Sequence, residues 1–388
     1  MQKIKFHPYI KNCRPVRGGS KSVSYLIYLD GEEEVRLDFS SGDTPITNFQ
    51  MADNNQNPLP LVVNGQTIDK DNVREIHIGS SYKDTTVLPS FFLHGLSEIE
   101  KVSLSGLTSL TSIDADFLSS CTSLTSLDLS DLTSLTSIGD YFLRVCFSLT
   151  SLDLSGLTSL TSIGDYFLGE CTSLTSLDLS GLTSLTSVGD AFLYYCSSLT
   201  SLDLSGLTSL TSIGISFLVG CSSLTSLDLS PLSQVTSIGD SFLYNCTSLT
   251  SLDLSPMSQV TSIGDYFLQS CPLLTFLDLS GLTSLTSIDG FFLVGCSSLT
   301  SLDLSGLTNL TSIGNNFLYE CSSLTEVRLG AQTVPTAGYN ILYNVPLDCL
   351  KVPANLLNEY RNTSPWSNLP TIDMDGDCSD AHIGGTYD

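Results

Sequence analysis

The chain has 388 residues, of which 41% are hydrophobic and only 14% are charged, and its formal net charge at pH 7 is −25. This composition supplies ample apolar surface for a core and argues against an intrinsically disordered chain. Between Val102 and Thr325 the only basic side chain is Arg144, against nineteen Asp or Glu, which argues against nucleic acid as a partner. The chain has no apolar run long enough to predict a transmembrane segment.

The first 72 residues lack any repeat and carry signals for short strands. The segment SVSYLIYL is followed by Asp30-Gly31 and then by EEEVRLDF, a pattern that predicts a β-hairpin, and Asn64-Gly65 predicts a second one. No apolar segment typical of a signal peptide occurs in the first thirty residues. Residues 1–72 are predicted to form a β-rich N-terminal cap or anchoring domain, because the exposed end of a strand stack needs a cover.

A strict period of 25 residues dominates the middle of the chain. In the copy at 149–173, LTSLDLSGLTSLTSIGDYFLGECTS, the apolar residues follow neither a period of two nor one of 3.6, which is typical of a coil that turns corners. A single coil cannot bury its apolar side, so stacked coils are predicted. Cysteine marks the period at Cys121, Cys146, Cys171, Cys196, Cys221, Cys246, Cys271, Cys296 and Cys321.

Each coil contains one segment that truly alternates. The L-x-L of Leu152, Asp153 and Leu154 predicts a strand that pairs in parallel with its copies. Phe167, Leu168 and the residues before Cys171 are predicted to form a short helical or 3₁₀ turn on the opposite wall. Residues 73–330 are therefore predicted to be a leucine-rich-repeat solenoid of about ten coils, a right-handed β/α-type coil stack with a parallel sheet on one face.

The pattern changes after Leu329. Leu350, Val352 and Pro353 predict a last strand, residues 354–361 predict a short helix, and Trp366 is predicted to seal the core. Residues 331–372 are predicted to form a small C-terminal cap. Residues 373–388 are acidic and glycine-rich, and they are predicted to form a flexible tail.

Nine of the twelve cysteines occupy one position of the repeat. Stacked coils would place them about 5 Å apart. Neighbouring side chains in such a ladder run parallel and do not point at each other, which is a poor geometry for disulfides. These cysteines are predicted to be small buried hydrophobes, and Cys13, Cys349 and Cys378 lie outside the ladder.

The repeat unit L-x-x-L-x-L, followed by I-G-x-x-F-L-x-x-C, resembles the BspA-like leucine-rich repeats of bacterial cell-surface proteins. The segment VPANLLNEYRNTSPWSNL is similar to the C-terminal cap of that family, and the resemblance covers roughly residues 76–372. The repeat is longer than the family's usual one and has Gly or Ser where the family usually has proline, although Pro231 and Pro256 keep the usual form. The resemblance implies an extracellular or cell-surface location and adhesion to a host protein or another cell.

Eight aspartates recur between inward leucines and are predicted to face outward in one row. At a spacing of about 5 Å, adjacent carboxylates repel by roughly 0.8 kcal/mol in bulk water and by about 3 kcal/mol at an effective dielectric of 20. Hydroxyls such as Ser126 and Ser130, weakly bound Ca²⁺ or a basic partner would relieve this repulsion. The alternative is a solvated face with raised carboxylate pKa values. The row comprises Asp128, Asp153, Asp178, Asp203, Asp228, Asp253, Asp278 and Asp303.

A comparison of the copies with one another marks a second candidate site. The strand and the LTSLTSI segment hardly vary, whereas the residues around Phe-Leu do, and many of them are tyrosines. Tyrosine offers a large contact area and one polar group, so this wall is predicted to bind a protein or carbohydrate, with drift after duplication as the alternative. The tyrosines are Tyr141, Tyr166, Tyr194, Tyr195, Tyr244, Tyr266 and Tyr319.

The sequence contains no catalytic constellation. The four histidines, His7, His77, His94 and His382, are far apart in the chain, and no nucleophile, zinc or nucleotide-binding motif is present. The predicted function is therefore a non-catalytic binding scaffold, with no specific metal or cofactor beyond weakly bound Ca²⁺. The alternative is a structural or assembly component, such as a virion or appendage part, anchored through the N-terminal domain. The oligomeric state is left open.

Overall fold

The structure is a computed structural model that describes residues 83–383 and five strands before them, Leu26–Ile27, Val35–Phe39, Leu61–Val63, Gln66–Ile68 and Val73–Ile78. The turns of the two predicted hairpins and residues 384–388 lie outside the described residues. The chain divides into two compact units, Met1–Leu185 and Thr186–Asp388. Each unit is a stack of coils with parallel strands, which confirms the predicted solenoid.

In the first unit, the strands Leu26–Ile27 and Val35–Phe39 extend the repeat sheet, whereas Leu61–Val63 and Gln66–Ile68 form a sheet of their own. Leu26–Ile27 pairs antiparallel with Val35–Phe39, and Val35–Phe39 pairs in parallel with Val73–Ile78. Leu61–Val63 and Gln66–Ile68 form a second antiparallel pair. Both predicted hairpins are thus confirmed as strand pairs. The repeat strands that follow in this unit are Lys101–Ser103, Ser126–Asp128, Ser151–Asp153 and Ser176–Asp178.

In the second unit, the repeat strands also pair in parallel at the 25-residue register. Ser251–Asp253 pairs with Phe276–Asp278, and Ser301–Leu304 pairs with Glu326–Leu329. The coil that contains Asp228 has no regular strand there and keeps the register through a single bridge from Asp228 to Asp253. The sheet ends with Cys349–Val352, Pro370–Asp373 and the antiparallel His382–Ile383.

A shorter strand lies at the second corner of most coils. It contains the Ser-Ile pair of the LTSLTSI segment and also pairs in parallel, with Ser137 opposite Ser162 in the first unit and Ile263 opposite Ile288 in the second. These strands are Val87–Leu88, Ser112–Ile113, Ser137–Ile138, Ser162–Ile163, Ser187–Val188, Ser262–Ile263, Ser287–Ile288, Ser312–Ile313 and Thr336–Ala337.

The core of each unit is built from columns of identical side chains. The leucines on either side of each strand aspartate are buried, as Leu152 and Leu154 show. In each unit, phenylalanines stack with nearly parallel rings, with centroids 5.3 Å apart between Phe142 and Phe167 and 5.2 Å apart between Phe292 and Phe317. Exact repetition of length is what keeps each side chain above its copy, so the apolar surface of every coil is covered by the next.

The wall opposite the strands is not helical, and the prediction of a helical or 3₁₀ turn there is wrong. In the coil that ends at Cys171, the residues Tyr166, Leu168 and Glu170 have left-handed backbones with φ values of 55°, 54° and 61°. Other coils repeat the alternation, with Gly220 and Asn245 at the position of Glu170. Alternate residues of this wall are therefore left-handed, and the segment forms consecutive turns.

The hydrogen bonds between coils explain this backbone. Tyr141 donates its N–H to the carbonyl of Asp165 in the following coil at 2.7 Å, whereas Leu143 donates to Phe117 in the preceding coil at 2.9 Å. In a helix, these N–H groups would instead donate to carbonyls of the same coil. A left-handed non-glycine residue costs roughly 1–2 kcal/mol, and a net gain of about 0.5–1.5 kcal/mol for each hydrogen bond offsets much of that cost.

The nine repeat cysteines are buried free thiols, which confirms the prediction that they do not form disulfides. Cys146 donates its S–H to the carbonyl of Leu118 at 3.3 Å, and Cys321 donates to Leu293 at 3.1 Å. The acceptor is in each case the left-handed leucine of the preceding coil. Burial raises the pKa of Cys121 and Cys221 to about 12, so these thiols stay protonated and unreactive at neutral pH.

The strand predicted for the C-terminal cap is present as Cys349–Val352, but the prediction that it is the last strand is wrong, because Pro370–Asp373 and His382–Ile383 follow it in the sheet. The predicted helix is present as the 3₁₀ turn Ala354–Leu356 and the α-helix Leu357–Asn362, and a further 3₁₀ turn spans Trp366–Asn368. Trp366 is buried, and its Nε1 donates to the carbonyl of Pro335 at 2.8 Å. In the part of the chain that the structure describes, no helix has the length and apolarity needed to cross a membrane.

The residues after the cap differ from the predicted flexible tail as far as Ile383. His382–Ile383 pairs antiparallel with Pro370–Asp373, and a 3₁₀ turn spans Cys378–Asp380. A disulfide joins Cys349 to Cys378. A covalent bond and a strand pairing therefore hold this segment, and its acidic composition gave no signal of either one. The predicted domain boundaries themselves stay predictions.

Ser241 tests the left-handed wall, because its φ is 59°. Ser241→Val should lower the free energy of unfolding by roughly 1–2 kcal/mol or more, since a β-branched residue is strongly disfavoured there. Ser241→Gly should have no such cost. Ser301→Val, on an exposed strand position, is the matched control and should be nearly neutral. Urea unfolding followed by circular dichroism measures all three, and equal losses for the two valine variants would contradict the assignment.

Candidate functional site

The strand aspartates face outward, as predicted. They are exposed or half-buried, and the leucines beside them are buried. In-register pairing places Asp153 opposite Asp178 in the first unit and Asp253 opposite Asp278 in the second. Like charges therefore lie side by side along the strand face of each unit.

Each of the eight strand carboxylates accepts a hydrogen bond from a backbone N–H in its own coil. The donor is always the serine two residues further on: Ser155 donates to Oδ1 of Asp153 at 2.8 Å, and Ser255 donates to Asp253 at 2.7 Å. This is the Asx-turn, in which a short carboxylate caps the chain as it leaves a strand. The same bond is made by Asp128, Asp178, Asp203, Asp228, Asp278 and Asp303.

At Asp178, the hydrogen bonds of the Asx-turn lower the pKa of the carboxyl, which is opposite to the raised pKa considered from the sequence. The hydroxyl and then the backbone N–H of Ser180 hold the pKa of Asp178 below its ordinary value of 3.8. The predicted relief by flanking hydroxyls is also seen at Asp128, where the Ser130 hydroxyl donates to Oδ1 at 2.7 Å. The strand aspartates thus have a structural role, and the weak Ca²⁺ ladder stays a prediction.

A second acidic row, which sequence reasoning missed, lies where the short strand meets the turn wall. Asp140 accepts the backbone N–H of Asp165 in the next coil at 2.9 Å, and Asp240 accepts that of Asp265 at 3.0 Å. A Cβ on Gly164 would lie 2.3 Å from Oδ1 of Asp140, so glycine is required beside this bond. The Gly-Asp pair that recurs in most copies could have predicted this second row from the sequence.

Burial raises the pKa of two carboxyls in this region. Burial, followed by repulsion from Asp265 and Asp240, raises the pKa of Asp289, which stands where most copies have glycine. Burial also raises the pKa of Asp116, against attraction from His94 and Arg144. At neutral pH, the ionised forms of Asp289 and Asp116 therefore carry a cost, whereas that of Asp178 is favoured.

The predicted tyrosines are half-buried or exposed, and the structure brings most of them into separate aromatic groups. Ring centroids lie 5.3 Å apart for Tyr141 and Tyr166, and 4.6 Å apart for Tyr194 and Tyr195. Tyr244 is half-buried. Two groups include rings outside the predicted set: Tyr266 stacks on Phe291 at 4.6 Å, and Tyr319 stacks on Tyr343 at 4.8 Å.

Tyr343 was missed because it lies 24 residues after Tyr319 and is therefore out of the 25-residue register. Variation among copies also does not always mark an exposed position. Ala191 and Val219 occupy variable positions of the wall and are buried. Small and aliphatic residues at these positions are covered by their neighbours, whereas the rings extend into solvent.

Arg144 lies within the tyrosine group of the first unit. Its guanidinium is 5.8 Å from the centre of the Tyr141 ring and 5.5 Å from that of Tyr166. It also forms an ion pair with Glu170. Cation–π attraction and the ion pair give this cation favourable neighbours in the surrounding acidic surface.

One trio of potential metal ligands lies among the described residues. The ligand atoms of Glu326, Cys349 and Cys378 are within 4.8 Å of one another. The two sulfurs are joined in the disulfide, and thiolates are what a metal would need. Burial favours a raised pKa for Glu326, but the hydrogen bonds from Arg328 and Lys351 outweigh it and lower that pKa. The trio therefore fastens the cap and does not fit a metal.

Asp178→Ala should lower the free energy of unfolding by roughly 1 kcal/mol, the usual net contribution of one hydrogen bond. Asp178→Asn keeps the acceptor oxygen and should lose less. Because the folded pKa of Asp178 is lowered, the charge contribution is present above pH 3.8 and disappears as the pH falls through the folded pKa. Urea midpoints at several pH values test this, and equal losses for the two variants at pH 7 would contradict the turn.

Asp289→Asn should have the opposite effect and raise the unfolding midpoint at pH 7. The raised pKa of Asp289 means that its ionised form destabilises the folded chain. This penalty is present above the folded pKa and vanishes as the pH falls below the ordinary value of 3.8. The gain should therefore shrink in acid, and a thermal melt at each pH measures it. A midpoint at pH 7 that stays the same or falls would contradict the raised pKa of Asp289.

Comparison with known proteins gives the family. The family model described as "BspA type Leucine rich repeat region (6 copies)" matches residues 85–210, 161–287 and 236–368. No curated protein matches the chain significantly.

Three solved structures are similar to this chain. A leucine-rich repeat protein from Bacteroides ovatus is 19% identical with a TM-score of 0.45, covering 92% of this chain and 99% of that one. A leucine-rich cell surface protein from Faecalibacterium prausnitzii is 16% identical with a TM-score of 0.37, covering 79% and 83%. The functional domain of InlJ from Listeria monocytogenes, which includes a cysteine ladder, is 22% identical with a TM-score of 0.24, covering 66% and 60%.

The family matches overlap and together span most of the chain, and they include the strands, both acidic rows, the tyrosine wall and the cysteine ladder. The chain belongs to the BspA-type leucine-rich-repeat family.

Proposed function

We propose that this protein is a non-catalytic binding scaffold that acts outside a cell and recognises a protein or carbohydrate through its tyrosine wall. The wall comprises the seven tyrosines predicted from the sequence. The proposal rests on the positions at which the coils differ from one another. Buried columns and turn-forming aspartates repeat almost unchanged, whereas the aromatic residues on the wall change from coil to coil.

The exposure of the wall supports recognition. Tyr195 and Tyr266 each keep 38% of their surface exposed although they contact other rings. Tyrosine has few rotatable bonds, so it contributes contact area at a low entropic cost and is enriched at binding hot spots. Ring contacts within each group restrict the side chains further, which lowers the cost of ordering them on binding.

Cysteine chemistry supports a location outside the cell. The Cys349–Cys378 disulfide is a bond that persists in oxidising compartments and is rare in the cytosol. The nine repeat thiols are compatible with such a compartment because they are buried and protonated, and the thiolate is the form that reacts. The family resemblance points to the same location.

The N-terminal strands favour a scaffold over an anchored assembly component. Val35–Phe39 continues the repeat sheet in parallel with Val73–Ile78, and Leu26–Ile27 pairs on its other side, which supports a capping role for these strands. A cover is what an exposed strand edge requires.

The test is an array of carbohydrates and bacterial-surface or host proteins, probed with the full chain in the presence and absence of calcium. The triple substitution Tyr194→Ser, Tyr195→Ser and Tyr244→Ser should weaken binding to any hit by about tenfold or more, since hot-spot side chains often contribute more than 1 kcal/mol each. Phe147→Ser is the matched control, because it removes an exposed ring that belongs to neither the wall nor any other proposed contact surface. Unchanged binding by the triple variant would refute the role of the wall.

A further inference from the structure

One coil of the second unit departs from the repeat on its outer surface. The copies read Cys-Thr-Ser-Leu-Thr-Ser or a close variant at the approach to the strand, but residues 271–276 read Cys-Pro-Leu-Leu-Thr-Phe. Leu273 and Phe276 each stand where the neighbouring coils have serine. Their exposed fractions are 52% and 56%, the second being among the largest of any apolar residue in the described part of the chain.

The fold does not account for these two side chains. Phe276 begins the strand Phe276–Asp278 and pairs with Ser251, so it lies on the outer side of the sheet while Leu277 enters the core. Ser251 itself shows that serine serves the strand equally well at this position. Exposed apolar surface is unfavourable in water, and its occurrence twice within four residues, where the neighbouring coils have serine, supports a contact surface here.

The electrostatic surroundings identify the kind of partner. Asp278 is two residues from Phe276 and therefore on the same side of the strand, in register with the exposed Asp253. The single basic residue between Val102 and Thr325, Arg144, is already paired with Glu170. A cationic partner is attracted to such a surface, whereas an acidic or neutral partner gains nothing from the charges.

We propose that the strand surface formed by Leu273, Phe276 and Asp278 binds a basic polypeptide segment that carries a bulky apolar side chain. The apolar side chain packs against Leu273 and Phe276, and Lys or Arg residues of the segment lie beside Asp278 and Asp253. This surface is separate from the tyrosine wall and does not depend on the function proposed above.

The probe is a short, labelled, Lys- and Arg-rich peptide with a single Trp, titrated against the full chain by fluorescence anisotropy. The double variant Leu273→Ser with Phe276→Ser should weaken binding by about tenfold, as should replacing the Trp of the peptide by Ala. Both substitutions restore the residue of neighbouring coils, so folding is preserved. Raising the ionic strength from about 0.05 to about 0.5 M should weaken binding further, because it screens the aspartates.

Two controls make the result specific to this surface. Phe147→Ser removes another exposed phenylalanine, 43% exposed at a different position of the repeat, and should leave the affinity unchanged. Ser173→Leu with Ser176→Phe copies the patch beside Asp153 and Asp178 and should add a second binding site. Equal binding by the wild type and the Leu273/Phe276 variant would overturn the proposal. So would self-association of the full chain that this variant abolishes, because the occupant would then be a second copy.

Discussion

The structure depends on one constraint, that the backbone groups of each coil must find partners in the coils above and below. Some N–H groups bond within their own coil, as Leu157 does to Leu154, but many others, together with their C=O partners, point along the stack. They are paired only when consecutive coils have the same length and the same backbone path. The strands meet this constraint in the ordinary way, and the left-handed wall meets it by sending alternate donors in opposite directions, as Tyr141 and Leu143 do.

Because the coils have identical length, each side chain lies next to the same type of side chain in the neighbouring coils. The chemistry of each column follows from this. Phenylalanines gain from it because parallel rings about 5 Å apart cover each other. Cysteines gain because the S–H can reach the carbonyl of the leucine in the preceding coil, as that of Cys171 does. Adjacent aspartates would repel each other, but the carboxylates of both acidic rows accept hydrogen bonds from backbone N–H groups. The donor lies in the same coil for Asp153 and in the next coil for Asp140.

The sequence predicted what depends on side-chain periodicity. The alternation around Asp153 located the strand, and the regular cysteines indicated buried thiols. Leu350, Val352 and Trp366 marked the cap. The sign of φ on the opposite wall was not predictable from Tyr166, Leu168 or Glu170, since such residues usually avoid left-handed conformations. Glycine and asparagine at the same positions in other copies, Gly220 and Asn245, were the clue.

For the candidate sites, the sequence located the outward residues but not their bonds. An aspartate two residues before a serine is compatible with a solvated side chain or an Asx-turn, and only coordinates distinguish them. The Cys349–Cys378 bond joins residues 29 apart in the chain with no repeat to set their register. The ring of Tyr343 did not show in the sequence comparison because it is out of the 25-residue register. Leu273 and Phe276 lie outside the variable wall, in a segment where the other copies hardly differ.

The uniform coil length also has a consequence for how such a chain can change over generations. Recombination between near-identical copies of the coding sequence would insert or delete whole coils in frame, and each event would lengthen or shorten the stack by about 5 Å. The interior would be unaffected, because every column accepts another identical member. A lineage could in this way alter the distance between its outer contact residues while keeping every buried residue the same.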